Sequence, residues 1–402
     1  MATRRKIFLF CTLLLLTILG VYIYWQKKLP LISPTNLFEN IYFPKNQKQK
    51  KVVYGFLPYW NLKYSKDLQI NHLTHLAYFA IDLNMDGTIH KKTNSKELEP
   101  GWNKLNSPEI KSILYQSKLL RQKTVITVTA MDPELIESLV NNQDHTKNAI
   151  ENILIVYNEF NFDGINIDFE YVGEPDNQTI SNFTEFIIKL KNRCQTISNS
   201  CFIDVDVFGD SASKKRLWNL EELHPHLENI IIMAYDYYRK SSSQAGPIAP
   251  LIGSCKQISQ DNCLEQDILG HMNLFTKKVP PEKLVLGIPF YGYEWQTASE
   301  NFLANTYPKT GSLATYQRIQ NLISNQEISS LSAKWSNISL SPYLVYYDKD
   351  KIKQIHFESE QSLKLKTDII MSTNIKGVAI WALGYEVPYT DLWKPISDLN
   401  KN

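Results

Sequence analysis

Asn166, Asp168 and Glu170 occupy alternate positions of the segment Phe162-Asp163-Gly164-Ile165-Asn166-Ile167-Asp168-Phe169-Glu170-Tyr171. In an extended strand, residues two apart face the same way, so the amide and both carboxyls form one row while Ile165, Ile167 and Phe169 form the other. Burying unpaired charge is costly, and a core strand has no reason to carry such a row. Carboxyls gathered at the end of an apolar strand are the equipment of proton-transfer chemistry. The plainer alternative is an ion-pair network at a solvated strand edge.

Such a row needs a scaffold, and the rest of the chain supplies one. Eight apolar bursts recur: Val52 to Leu57, Leu73 to Ile81, Thr124 to Thr129, Gly164 to Phe169, Phe202 to Val207, Ile230 to Tyr235, Leu284 to Pro289 and Gly377 to Trp381. Several are short and rich in Val and Ile, as parallel strands buried on both faces are. Amphipathic segments between them, such as Pro133 to Phe160 and Thr179 to Cys194, read as helices. Alternation of this kind predicts an α/β fold, a (β/α)8 TIM barrel, whose active sites lie at the carboxyl ends of the strands. The stretch between Tyr291 and the last burst is too long for a loop plus a helix. A small α+β insertion, about residues 296–350, is expected between strands seven and eight.

Ile7 to Trp25 contains no charged side chain and follows Arg4, Arg5 and Lys6. As a helix it would span about 28 Å, close to a hydrocarbon core of roughly 30 Å. Its end, Val21-Tyr22-Ile23-Tyr24-Trp25, suits a membrane interface better than a small-residue cleavage site. Residues 1–28 are therefore expected to be an N-terminal transmembrane helix acting as anchor, or an uncleaved signal, with secretion after cleavage as the alternative. Either way the remainder is exported, to the periplasm or cell exterior. Residues 29–51, with Pro30, Pro34 and Pro44, read as a linker, and residues 52–402 as the barrel.

The 402 residues carry 43 Lys plus Arg against 41 Asp plus Glu, a formal charge of +2, which argues against nucleic acid as the main partner. A hydrophobic share of 43% excludes a disordered chain. Beyond Cys11, four cysteines allow three pairings. The local pairs Cys194 with Cys201 and Cys255 with Cys263 would suit an oxidising compartment, and free thiols are the alternative. No spacing resembles a zinc site, and neither metal nor cofactor is implied.

The acidic segment resembles the D-x-x-D-x-D-x-E signature of family 18 glycoside hydrolases, the chitinase-like barrel enzymes. Met233-Ala234-Tyr235-Asp236 is similar to that family's M-x-Y-D motif on strand six. Leu284 to Gly292 and Gly377 to Gly384 resemble its strands seven and eight, and Val53 to Trp60 and Leu73 to Ile81 its first two. The resemblance implies retaining hydrolysis of a β-1,4-linked N-acetylglucosamine polysaccharide, with the substrate's own 2-acetamido oxygen as nucleophile. It makes Glu170 the general acid and later the base, Asp168 the acceptor of the acetamide N–H, and Tyr235 a donor to the acetamide oxygen. Asp236 would contact the sugar or the attacking water, and Trp381 would floor the subsite of the distorted ring. Tyr59, Trp60, Tyr78, Tyr237, Tyr291 and Trp295 are candidates for stacking on further rings. Asp163 matches the signature's first acid, but strand parity turns it away from the row, so a structural role is expected.

Two departures stand out. The signature's second acid is Asn166, and Thr127-Val128-Thr129-Ala130-Met131 lacks the usual S-x-G-G of strand three. An amide at 166 removes one of two adjacent like charges, and it is expected to donate to Asp168, favour its ionised form and shift the pH optimum. The Gly-x-Asn-x-Asp-Phe-Glu form also resembles a branch associated with bacterial cell-wall and spore-cortex glycan. Chitin-type oligomers and peptidoglycan both stay open as substrates. The alternative to a glycosidase is a glycan-binding protein on the same barrel, although such members typically lose the acid that this chain keeps.

Overall fold

The computed structural model describes residues 50–255, 263–324 and 330–400. The expected membrane helix and nearly all of the expected linker lie outside the described residues, and among those described no helix is long and apolar enough to cross a membrane. Lys51, placed at the linker's end, already belongs to the folded body. It is buried, and its Nζ donates to the carbonyls of Thr373 and Ile375, each at 2.8 Å.

Elements follow in the order β1 (Val52–Pro58), β2 (His75–Asp82), α1 (Pro100–Leu105), α2 (Pro108–Leu119), β3 (Lys123–Ala130), α3 (Pro133–Asn141), α4 (Gln143–Glu159), β4 (Gly164–Phe169), α5 (Asn177–Ile197), β5 (Phe202–Phe208), α6 (Leu220–Leu223), β6 (Asn229–Met233), α7 (Ile268–Phe275) and β7 (Leu284–Pro289). After an inserted lobe come α9 and the last barrel strand, defined below. The stretch expected to be one helix from Pro133 to Phe160 is two. Asn142 leaves the helical conformation between them, and its side chain accepts from the backbone N–H groups of Asp144 and His145, capping α4.

The inserted lobe comprises β8 (Tyr291–Gln296), β9 (Ser312–Thr315), α8 (Tyr316–Ser324), β10 (Ser332–Ser336), β11 (Ser341–Asp348) and β12 (Lys351–His356). Its strands form one antiparallel sheet in the order β10-β11-β12-β8-β9. Because β8 starts at Tyr291 and β12 ends at His356, the sheet reaches past both edges of 296–350. The chain then returns through α9 (Glu360–Ser372) to β13 (Gly377–Trp381), followed by α10 (Trp393–Ser397) and a 3-10 turn, Asp398–Asn400.

Strands β1 to β7 and β13 close into one parallel barrel, β13 pairing with both β1 and β7. All eight expected strands are present. The sixth differs most at its end: β6 stops at Met233, so Tyr235 and Asp236 lie beyond the strand.

The barrel interior changes character along its axis. Val52, Tyr54, Phe56, Ala77, Val125, Phe202, Ile231, Val285 and Ala379 pack into one apolar cluster, with Phe79 and Trp381 against it. Next to this cluster, the inward positions of β4 and β5 carry Asn166, Asp168, Asp204 and Asp206, all buried. Two disulfides, Cys194 to Cys201 and Cys255 to Cys263, join the local pairs.

Candidate active site

The site is built at the carboxyl ends of β4, β5 and β6. Asp168 is the last inward residue of β4, which ends at Phe169, and the next residue on that face, Glu170, follows the strand directly, its N–H donating to the Ala130 carbonyl of β3 at 2.9 Å. Asp163 is part of the wall: its Oδ2 accepts from the N–H and hydroxyl of Thr124 at 2.8 and 3.0 Å. This agrees with its parity.

Asn166 does not do what was expected of it. Its Nδ2 donates to Asp206 Oδ2 at 2.8 Å, not to Asp168. Adjacent strands explain the change. Asn166 pairs in register with Asp204 and Ile167 with Val205, so Asp206 arrives beside the row from β5. The amide therefore leaves crowding of like charge in place and meets a carboxyl from the neighbouring strand. Asp204 is held separately, its Oδ1 accepting from the N–H and Nδ2 of Asn229 at 2.9 Å each. Neither Asp204 nor Asp206 was singled out by motif, yet Phe202-Ile203-Asp204-Val205-Asp206 has the same alternation as β4, and the same parity argument finds it.

Beyond β6 the backbone turns sharply. Asp236 has a φ of 60°, a left-handed conformation uncommon for a residue with a side chain. Its carboxyl is clasped by two phenols of β8: Tyr291 OH donates to Oδ1, and Tyr293 OH to Oδ2 at 3.1 Å. Tyr235 lies against β7 at Gly287. A Cβ there would stand 2.9 Å from Tyr235 Cε1 and 2.5 Å from the Ile232 carbonyl oxygen. Glycine is what lets the ring approach the wall.

Trp381, at the end of β13, meets Phe79 edge-on at 4.6 Å, with Phe56 and Trp60 at 6.0 and 6.3 Å. Trp60 is 41% exposed. Tyr59, expected to bind substrate, is not on the cleft. It opens a 3-10 turn, Tyr59–Tyr64, and packs edge-on to Trp60 at 4.9 Å. Tyr78 and Trp295 are core residues whose polar atoms are satisfied by the carbonyls of Gly101 and Arg239. Tyr237 lines the cleft, with its hydroxyl 2.8 Å from His271 Nδ1.

Together these groups border a cleft of about 760 Å³, within the size range of ligand sites. Asp168, Glu170, Asp206, Tyr235, Asp236, Tyr237, Tyr291 and Trp381 all reach it, and Asn166 lies beneath. Burial raises the pKa of Glu170, Asp236 opposes its ionisation further, and the exposed Arg239 pulls the other way. Asp168 is pushed well above the usual carboxylate range by burial, then by Asp206 and Glu170. The arrangement is a half-buried carboxyl whose protonated form is favoured, beside buried carboxyls whose ionisation is likewise opposed. It suits acid–base work on a ligand entering from the cleft. Among the described residues no group of three His, Cys, Asp or Glu side chains is placed to hold a metal ion.

Residues 41–386 match the family model of glycosyl hydrolases family 18. A Dictyostelium discoideum protein named as a probable di-N-acetylchitobiase is 26% identical over 56% of this chain and 60% of its own length. The cortical fragment-lytic enzyme of Bacillus subtilis is 21% identical over 81% of this chain and 68% of its own length. This chain spans about three fifths of the length of several relatives it matches. In fold it is similar to the class V chitinase from Nicotiana tobaccum, with a TM-score of 0.74 and 18% identity, covering 88% of this chain and 99% of that one.

Proposed function

Because the chain belongs to glycosyl hydrolase family 18, we propose that it hydrolyses β-1,4-linked N-acetylglucosamine glycans with retention, the substrate's acetamido oxygen attacking the anomeric carbon. Glu170 donates its proton to the bridging oxygen as the bond to the leaving sugar breaks, then takes a proton from the water that opens the cyclic intermediate. Asp168 accepts the acetamide N–H and stabilises the positive charge that develops there. Tyr235 donates to the acetamide oxygen, Asp236 orients the sugar or the water, and Trp381 floors the subsite.

One observation carries this reading: Glu170 reaches the cleft with its pKa raised by burial, next to the buried Asp168 on the same strand face. The test is to mix the full-length chain with N-acetylglucosamine oligomers and, separately, with peptidoglycan. Cleavage of either supports a glycosidase and identifies its glycan, whereas binding without cleavage indicates a glycan-binding protein. Glu170→Gln should lower kcat by at least about a hundredfold and spare binding. Full activity in that variant would remove Glu170 from the mechanism.

We further propose that Ile7 to Trp25 tethers the chain to a membrane with the barrel exported. The uncharged run and its aromatic end support this. Recovery of the chain from the soluble fraction, at a mass lacking that run, would overturn the tether.

A further inference from the structure

β5 brings two inward carboxyls to the site, and the reaction as proposed uses neither. Asp206 and Asp168 are each only 3% exposed. They stand level on adjacent strands, each one residue past the registered pair Ile167 and Val205. Asn166 Nδ2 occupies Asp206 Oδ2. Asp206 Oδ1 and Asp168 Oδ1 have no hydrogen-bond partner among the described residues. Two buried carboxyls so close cannot both ionise at modest cost, and an O–H shared between them satisfies one oxygen of each.

We propose that Asp206 is a positioning residue that shares one proton with Asp168, so the carboxyl missing at position 166 is supplied from the next strand. This inference rests on the glycosidase reading and deepens it. Before substrate binds, the pair holds one proton and carries a single negative charge. When an acetamide N–H donates to Asp168, the O–H bond on Asp168 breaks and one forms on Asp206, with no change in total charge. The new O–H donates to ionised Asp168 and holds it as an acceptor. When product leaves, the proton can return. Asn166 keeps Oδ2 of Asp206 engaged and leaves Oδ1 for this exchange.

Other titratable groups face the pair: Asp204 on β5, Glu170 after β4, Tyr54 from β1 and Tyr235 after β6, with Asp236 acting on Glu170 and Tyr235. Burial raises both tyrosines, so they stay neutral, and the pair's proton balance is set by carboxyls. Burial raises both Asp168 and Asp206, with Asp206 and Glu170 adding to the rise at Asp168 and with Asp204 and Glu170 adding to the rise at Asp206 against the pull of the Asn166 amide.

Two measurements on the full-length chain test this. The first needs no turnover. Carbon NMR of labelled aspartate carboxyls should show Asp168 and Asp206 titrating together in two separated steps, and Asp206→Asn should leave Asp168 a single step between them. Independent single steps in the unmutated chain would overturn the proposal. The second is kinetic. An amide is a weaker donor to ionised Asp168 than a shared O–H, so Asp206→Asn should move the acid limb of kcat to higher pH. At pH 5, kcat should fall by about tenfold or more while KM changes little. The exchange Asn166→Asp with Asp206→Asn should restore the two-step titration and most of the acid limb. A merely structural Asp206 would leave the limb where it was, and that outcome would overturn the proposal. If the unmutated chain cleaves no aminosugar glycan, the proposed function fails, while the titration still decides whether the proton is shared.

Discussion

Glu170 stands between two opposed neighbours, and their balance sets the pH range in which it can act as an acid. Burial and Asp236 favour its protonated form, whereas Arg239 favours the carboxylate. Replacing Arg239 by Met removes a cation that stabilises the carboxylate, so Glu170 should keep its proton to higher pH, and the alkaline limb of kcat/KM should move upward. A pH–rate profile on a soluble oligosaccharide checks this, and a downward shift would contradict it. The row on β4 was legible because parity needs only the sequence. Parity assigns a face, however, and not a partner, which is why Asn166 was expected to reach along its own strand and instead reaches across to Asp206. Tyr59 shows the same limit: its residue type suits a sugar ring, but it opens the turn after β1, packs against Trp60 and is not among the residues that line the cleft.

The strands were easier to read than their ends. β4, β5 and β7 are almost wholly buried along their length, so each shows as a bounded apolar burst whose limits match those of the strand to within one residue. β6 was read two residues too long because Ala234 and Tyr235 are hydrophobic in type while their backbone has already left the ladder. The helical stretch after β3 was read as continuous because its periodicity survives the break, and only the capping contacts of Asn142 reveal it. β7 also has an influence on chemistry that no motif announces. Gly287→Ala would drive a methyl group into the Ile232 carbonyl and the Tyr235 ring. We expect the barrel to fold with kcat lowered by about ten- to a hundredfold, approaching the cost of losing a hydrogen-bond donor to the reacting group. Unchanged kcat in that variant would show that Tyr235 needs no such close support.

Across the whole molecule, burial of titratable groups couples stability to pH. His75 stacks on Tyr54 at 5.3 Å beneath the acidic layer, and burial lowers its pKa to about 4. It folds neutral but unfolds into a form that binds a proton below about pH 6.5. Its contribution is therefore complete above that value and is lost as pH falls towards 4. His75→Phe keeps the stacking and removes the titration, so the melting temperature of that variant should fall less than the original's between pH 7 and 4.5. A series of thermal melts measures it, and parallel curves would refute the assignment. The inserted lobe was visible in the sequence as surplus length holding two strand-like stretches, Tyr343 to Tyr347 and Gln354 to Phe357. What length could not convey is that β8, its first strand, also carries Tyr291 and Tyr293, the two phenols that grip Asp236. The lobe is thus not an ornament that could be pruned or exchanged at will. A chimera that grafts in another lobe must carry both phenols across at the same spacing, or the barrel will inherit an untethered carboxylate.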